Sequence, residues 1–155
     1  MQSRNPFRSL AILAVIGAIV ASCAGDTDTP DAPPDTEGAA TPGEARVMLS
    51  AVGDYRAEGL AVLTRRGDQV EADVAVDTHL GPGDYAVHIH EGTCEEGGRV
   101  VVPLTSINGG ESGSGHATTR FPATDLPSDA GYFIQVHRSG GDPVACGDVP
   151  AVDDF

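Results

Sequence analysis

The 155-residue sequence contains no tryptophan and no lysine, and only three tyrosines and four phenylalanines. So little aromatic bulk, beside 20 glycines and 11 prolines, indicates one modest domain plus non-globular material and leaves no room for a second domain. All nine basic residues are arginine, against 23 acidic ones, for a formal net charge of −14 at pH 7. A chain this acidic repels nucleic acid and anionic lipid headgroups, and no nucleic-acid partner is expected. Long apolar runs are also missing: the stretch from Leu10 to Val20, "LAILAVIGAIV", is well short of the roughly 20 residues that span a bilayer. Beyond residue 43 nothing sustains a 3.6-residue apolar period with helix caps, which excludes a helical bundle.

What is present begins with Arg4 and Arg8 ahead of that apolar run, the layout of an export signal. The run closes in Val20-Ala21-Ser22-Cys23, which resembles the lipobox of bacterial lipoproteins. The resemblance implies that residues 1–23 are a lipoprotein signal peptide and lipobox, with Cys23 lipidated and left as the mature N-terminus. The alternative is ordinary cleavage at the small-x-small pattern Ser22-Cys23-Ala24. Lipidation is preferred, because a free thiol there is a reactive liability in an oxidising compartment. The expected location is the cell envelope, periplasmic or at the outer surface, with the membrane held through the N-terminal lipid. Residues 24–43 are Asp-, Pro- and Thr-rich with no large apolar side chain, so they are expected to form a disordered spacer.

The remaining segment, 44–155, has the periodicity of strands. Gln69 to Asp77, "QVEADVAVD", puts Val70, Ala72, Val74 and Val76 on one face and Gln69, Glu71, Asp73 and Asp77 on the other, the pattern of a half-buried strand. Arg46–Val52 and Gly59–Arg65 are looser β-rich runs, and turn signals such as Arg-Gly-Asp at 66–68 and Gly-Pro-Gly-Asp at 81–84 punctuate them. Short strands at this spacing predict an antiparallel sandwich or barrel.

Within this segment Tyr85 to Cys94 reads "YAVHIHEGTC". If Tyr85, Val87 and Ile89 face the core, His88 and His90 share the outer face, about 7 Å apart along the strand. That spacing serves either two solvated histidines or half of a metal site. Gly131 to His137, "GYFIQVH", repeats the phase: Tyr132, Ile134 and Val136 point inward and His137 outward. Three neutral imidazoles on adjacent strands suit copper or zinc, but adjacency is not written in the sequence. With Cys23 taken by lipid, Cys94 and Cys146 are the only thiols left, and in an exported domain they are expected to pair.

Taken together, "HIHEGTC", "YFIQVH" and "VACGDV" in this order resemble the copper/zinc superoxide dismutase family. The resemblance covers most of 44–149 and implies an all-β Greek-key β-barrel or sandwich of that family's type. It also implies copper bound by His88, His90 and His137, a Cys94–Cys146 disulfide, and superoxide as the substrate of a copper-dependent dismutase if the protein is an enzyme. The sequence departs from the family in two places. Glu95 to Asn108 has no histidine where the family supplies a bridging histidine and zinc ligands, so zinc is not expected. Pro143 stands where the family sets an arginine that attracts the anion. His116 and His79 remain as candidate fourth ligands, and Glu91 as an acid near the site. A different reading, a metal-free β-sandwich binding module, draws on a resemblance of the two histidine segments to the chordin-type repeat domain. Against it stands the cysteine-bearing "VACGDV" ending.

Overall fold

The alternation of Gln69–Asp77 becomes a strand over those residues, with Val70, Ala72, Val74 and Val76 buried. The computed structural model describes residues 43–151 except 78 and 80. Contacts divide the chain into units 1–36 and 37–155, and every described residue belongs to the second. The expected signal segment 1–23 with Cys23, and residues 24–42, lie outside the described residues.

The described residues form nine strands in chain order: β1 Glu44–Ala51, β2 Glu58–Arg66, β3 Gln69–Asp77, β4 Asp84–Glu91, β5 Val100–Pro103, β6 Ile107–Asn108, β7 Ser114–Pro122, β8 Tyr132–His137 and β9 Pro143–Asp148. Among the described residues the one helical element is a 3-10 turn, Ala123–Asp125. The strands lie in the order β5-β4-β8-β9-β1-β2-β3-β7, with β6 pairing β4. Every pairing is antiparallel.

β1, β2 and β3 form a meander. The chain then crosses to β4 in the other half, and β7 returns to lie against β3. This is an all-β Greek-key barrel, as the strand spacing and the resemblance led one to expect. Its seam closes at β6 and β7. There a Cβ on Gly115 would meet the Asn108 oxygen and the Ile107 side chain at 2.4 Å, so only glycine admits the approach. The Thr105 amide adds a hydrogen bond to Thr119 Oγ1 at 2.8 Å.

The interior is filled from both halves by Leu49, Leu63, Val74, Val87, Ile89, Ile107, Ile134 and Val136, all at 2 % exposure or less. Fully burying each Leu or Ile contributes about 1.5–3 kcal/mol. On β3 one polar position breaks the alternation. Glu71 sits on the outer face of β3 yet is buried, because Arg120 of β7 and Arg66 of β2 both bond its carboxylate.

Candidate metal centre

β4 and β8 are neighbours, with Ala86 opposite His137, His88 opposite Gln135 and His90 opposite Phe133. This adjacency, absent from the sequence, sets His88, His90 and His137 on one face of the sheet, away from Val87, Ile89, Ile134 and Val136. Ring centroids are 5.8 Å apart for His88 and His90, 5.2 Å for His88 and His137, and 5.8 Å for His90 and His137. One ligand nitrogen from each ring lies within 4.8 Å of the other two. The ladders shift register between Ile89 and His90 and again between Val136 and His137. Such irregularities re-aim side chains, and here they fall at two of the three histidines.

The hydrogen bonds decide which nitrogens face inward. His90 Nδ1–H donates to the Gly98 carbonyl at 3.0 Å, and His137 Nδ1–H donates to the Gly141 carbonyl at 3.0 Å. A carbonyl only accepts, so in the neutral ring each Nε2 keeps its lone pair. His90 Nε2, His137 Nε2 and His88 Nδ1 are all buried without a hydrogen-bond partner. A buried polar atom left unpaired costs about 1–3 kcal/mol. Three such nitrogens, each within 4.8 Å of the others, could hold one metal ion. Imidazole N–H bonds to backbone carbonyls are contacts of the kind that orient metal-binding histidines.

Of the two readings the sequence left open for the outer-face histidines, solvated or metal-facing, His90 does not fit the solvated one, being only 7 % exposed. Its ring stacks on Phe133, with centroids 4.8 Å apart and planes 21° apart. The consecutive apolar pair Phe133-Ile134 was the signal that both faces of β8 are covered. His88 is half-buried. Burial, and then the neighbouring His137 and His90 charges, hold its imidazole below the ordinary value of 6.5, favouring the neutral form that ligates.

The three rings open into a cavity of about 460 Å³ whose walls also include Asp84, Ser106 and Arg138. Among its lining residues Asp84 is the one carboxylate, and Asn108 Nδ2 donates to it at 3.0 Å. Sequence reasoning passed over Arg138, although it directly follows His137. Its guanidinium pairs with Asp142 at 3.1 Å and lies 5.4 Å from the Tyr55 ring centre. Glu91, the acid singled out from sequence, pairs with Arg99 at 2.6 Å and is not part of the cavity wall. A larger hollow of about 980 Å³, bordered by Met48, Tyr55, Leu60 and His79, lies away from the three histidines.

His79 and His116 are not in the cluster. His79 Nδ1 lies 3.2 Å from Asp77, and His116 Nε2 lies 3.5 Å from Asp73 on the outer face of β3 and β7. Cys94 and Cys146 are brought together, with sulfurs 2.02 Å apart as a disulfide. The Cys94 amide also donates to Asp148 Oδ1 at 2.7 Å. Both ties run from the segment after His90 to β9.

No family model and no curated protein matches this chain. The case for a metal therefore rests on the donor set: three imidazole nitrogens, two with their tautomers fixed by carbonyls, and a solvent-facing cavity in front of them. Nitrogen donors without a carboxylate among them suit copper or zinc rather than magnesium or calcium.

Proposed function

We propose that this domain is an exported, copper-binding protein resembling the superoxide dismutase family, tethered to the cell envelope through Cys23, and that it removes superoxide slowly. The observation that carries the reading is the convergence of His88 Nδ1, His90 Nε2 and His137 Nε2, three buried lone pairs with no partner in the protein. Copper, when bound, supplies one-electron cycling between two oxidation states that imidazole tolerates equally.

The chain's own residues account for the rest. The Gly98 and Gly141 carbonyls hold two ligand rings in the metal-binding tautomer, and β4 and β8 fix all three in a rigid sheet. The cavity in front of them has room for a small anion and water, with Asp84 at its wall. Attraction of an anion is weak. The net charge is −14, Pro143 offers no cation, and Arg138 spends its charge on Asp142.

The test is the rate of superoxide consumption by the copper-loaded domain, followed directly after a superoxide pulse. The expected result is copper-dependent turnover well below the diffusional ceiling of about 10⁸–10⁹ M⁻¹s⁻¹. A rate equal to that of the metal-free protein would leave copper binding without dismutation. Protein isolated without metal and unable to take up copper would favour the metal-free binding module instead.

A further inference from the structure

We infer that Phe133 is a positioning residue for the metal site, its ring holding the His90 imidazole so that Nε2 points at His88 and His137. The inference rests on the copper-site reading above. It starts from where Phe133 lies. It stands opposite His90 in the β4–β8 ladder, on the face of β8 that carries His137 and not on the face of Ile134 and Val136. It is nevertheless 1 % exposed, and it lies outside the hydrophobic core cluster that takes in Ile134 and Val136. A phenylalanine buried apart from the core is not explained by filling the core.

What covers it is the site itself. One ring face stacks on His90, and the edge meets the segment that follows β4. A Cβ on Gly92 would come within 3.9 Å of Phe133 Cε1, and one on Gly98 within 3.6 Å. That segment lies close against the end of β4: a Cβ on Gly98 would also meet the Glu91 carbonyl oxygen at 1.6 Å. The Gly98 carbonyl accepts from His90 Nδ1, and the Cys94–Cys146 disulfide ties the same segment to β9. Phe133 thus acts from one side of the imidazole and the Gly98 carbonyl from its edge, which together remove rotation about the Cβ–Cγ bond.

The other two ligands are held less firmly. His137 is oriented by Gly141, in an exposed turn where Gly140 and Gly141 both have positive φ, and His88 Nδ1 has no partner. His90 is therefore the fixed ligand about which the other two close. Contacts that orient a metal-binding histidine change affinity about 10–100-fold when removed, and a stacked aromatic falls at the lower end of that range.

The experiment titrates Cu(II) into the wild-type protein and into Phe133→Leu, Phe133→Met and Ile134→Val, reading affinity and the Cu(II) electron paramagnetic resonance spectrum. Ile134→Val trims the core beside the site without touching His90. The Phe133 variants are expected to bind one copper about tenfold more weakly and with altered hyperfine splitting, while Ile134→Val keeps the wild-type spectrum. Folded Phe133 variants with wild-type affinity and spectrum overturn this inference alone, whereas a wild-type protein that binds no copper overturns it together with the site reading. Should the variants fail to fold, the metal-free wild-type protein decides the matter by nuclear magnetic resonance. A stacked Phe133 shifts the His90 ring protons upfield and protects Nδ1–H from exchange, and unshifted, fast-exchanging signals contradict the proposal.

Discussion

His137 stands across the β4–β8 ladder from Ala86, which brings its ring within 5.2 Å of His88. Two imidazoles that close do not both take up protons readily. Burial first, then the charges of His137 and His90, lower the folded-state pKa of His88 below its ordinary 6.5. Protonation therefore favours the unfolded chain. Stability of the metal-free domain is expected to be full above about pH 6.5 and to fall as pH drops below it toward the lowered native value. Glu71 adds a second, acid step. The Arg120 hydrogen bond outweighs burial and, helped by the charges of Arg120 and Arg66, lowers its pKa below 4.5. Its contribution is present above pH 4.5 and is lost as pH falls below that. Urea midpoints at pH 7.5 and 5.5 check the first step, with His88→Gln flattening it; equal midpoints for the unmodified domain would refute it.

The Cys94–Cys146 bridge spans 52 residues, and closing a loop of that size stabilises by about 4 kcal/mol in the chain-entropy model. Reduction is expected to lower the unfolding free energy by about that amount. It also frees the segment that supplies the Gly98 carbonyl to His90, so copper affinity is expected to fall with it. Denaturant melts and copper titrations of oxidised and reduced protein read both effects, and two free thiols in the native, unreduced domain would contradict the pairing.

Much of this architecture is legible in the sequence. β3 has the bounds of the alternating stretch Gln69–Asp77 and buries its four expected core positions, Val70, Ala72, Val74 and Val76, because a strand packed on one face leaves a period-2 record. The shared phase of His88, His90 and His137 is legible for the same reason. What is not legible depends on neighbours from distant parts of the chain. Alternation says that His90 faces away from Ile89, but only the fold shows that Phe133 and the segment after β4 cover it. Glu71 reads as solvated, and is buried only because β2 and β7 flank β3 with Arg66 and Arg120. His116 reads as a ligand candidate, and β7 carries it to Asp73 of β3, outside the group of three histidines.

Pro143 pairs with His137 across the β8–β9 ladder, so a side chain at 143 projects beside one of the three histidines. Pro143→Arg is expected to speed superoxide consumption by about tenfold or more, the scale of electrostatic steering. The gain should fade as salt shortens the Debye length from about 10 Å at 0.1 M. Stopped-flow rates at several ionic strengths measure it. A gain that persists unchanged at high salt would mean the arginine acts by something other than steering.

Cys23 lies outside the described residues, and its expected lipidation is open to direct test. Cys23→Ser should move the protein from the membrane fraction to the soluble fraction, and the intact mass of the native protein should carry a lipid at Cys23. An unmodified N-terminus at Ala24 or Gly25 would contradict the anchor.

The central claim is that His88, His90 and His137 hold one copper ion. Adding Cu(II) to the metal-free domain and recording its electron paramagnetic resonance spectrum tests this most directly. The expected result is one Cu(II) per chain with splitting from nitrogen ligands, lost in the triple variant His88→Ala, His90→Ala, His137→Ala and weakening below about pH 6 as the imidazoles protonate. The same spectrum from the triple variant would place the copper elsewhere and contradict the account.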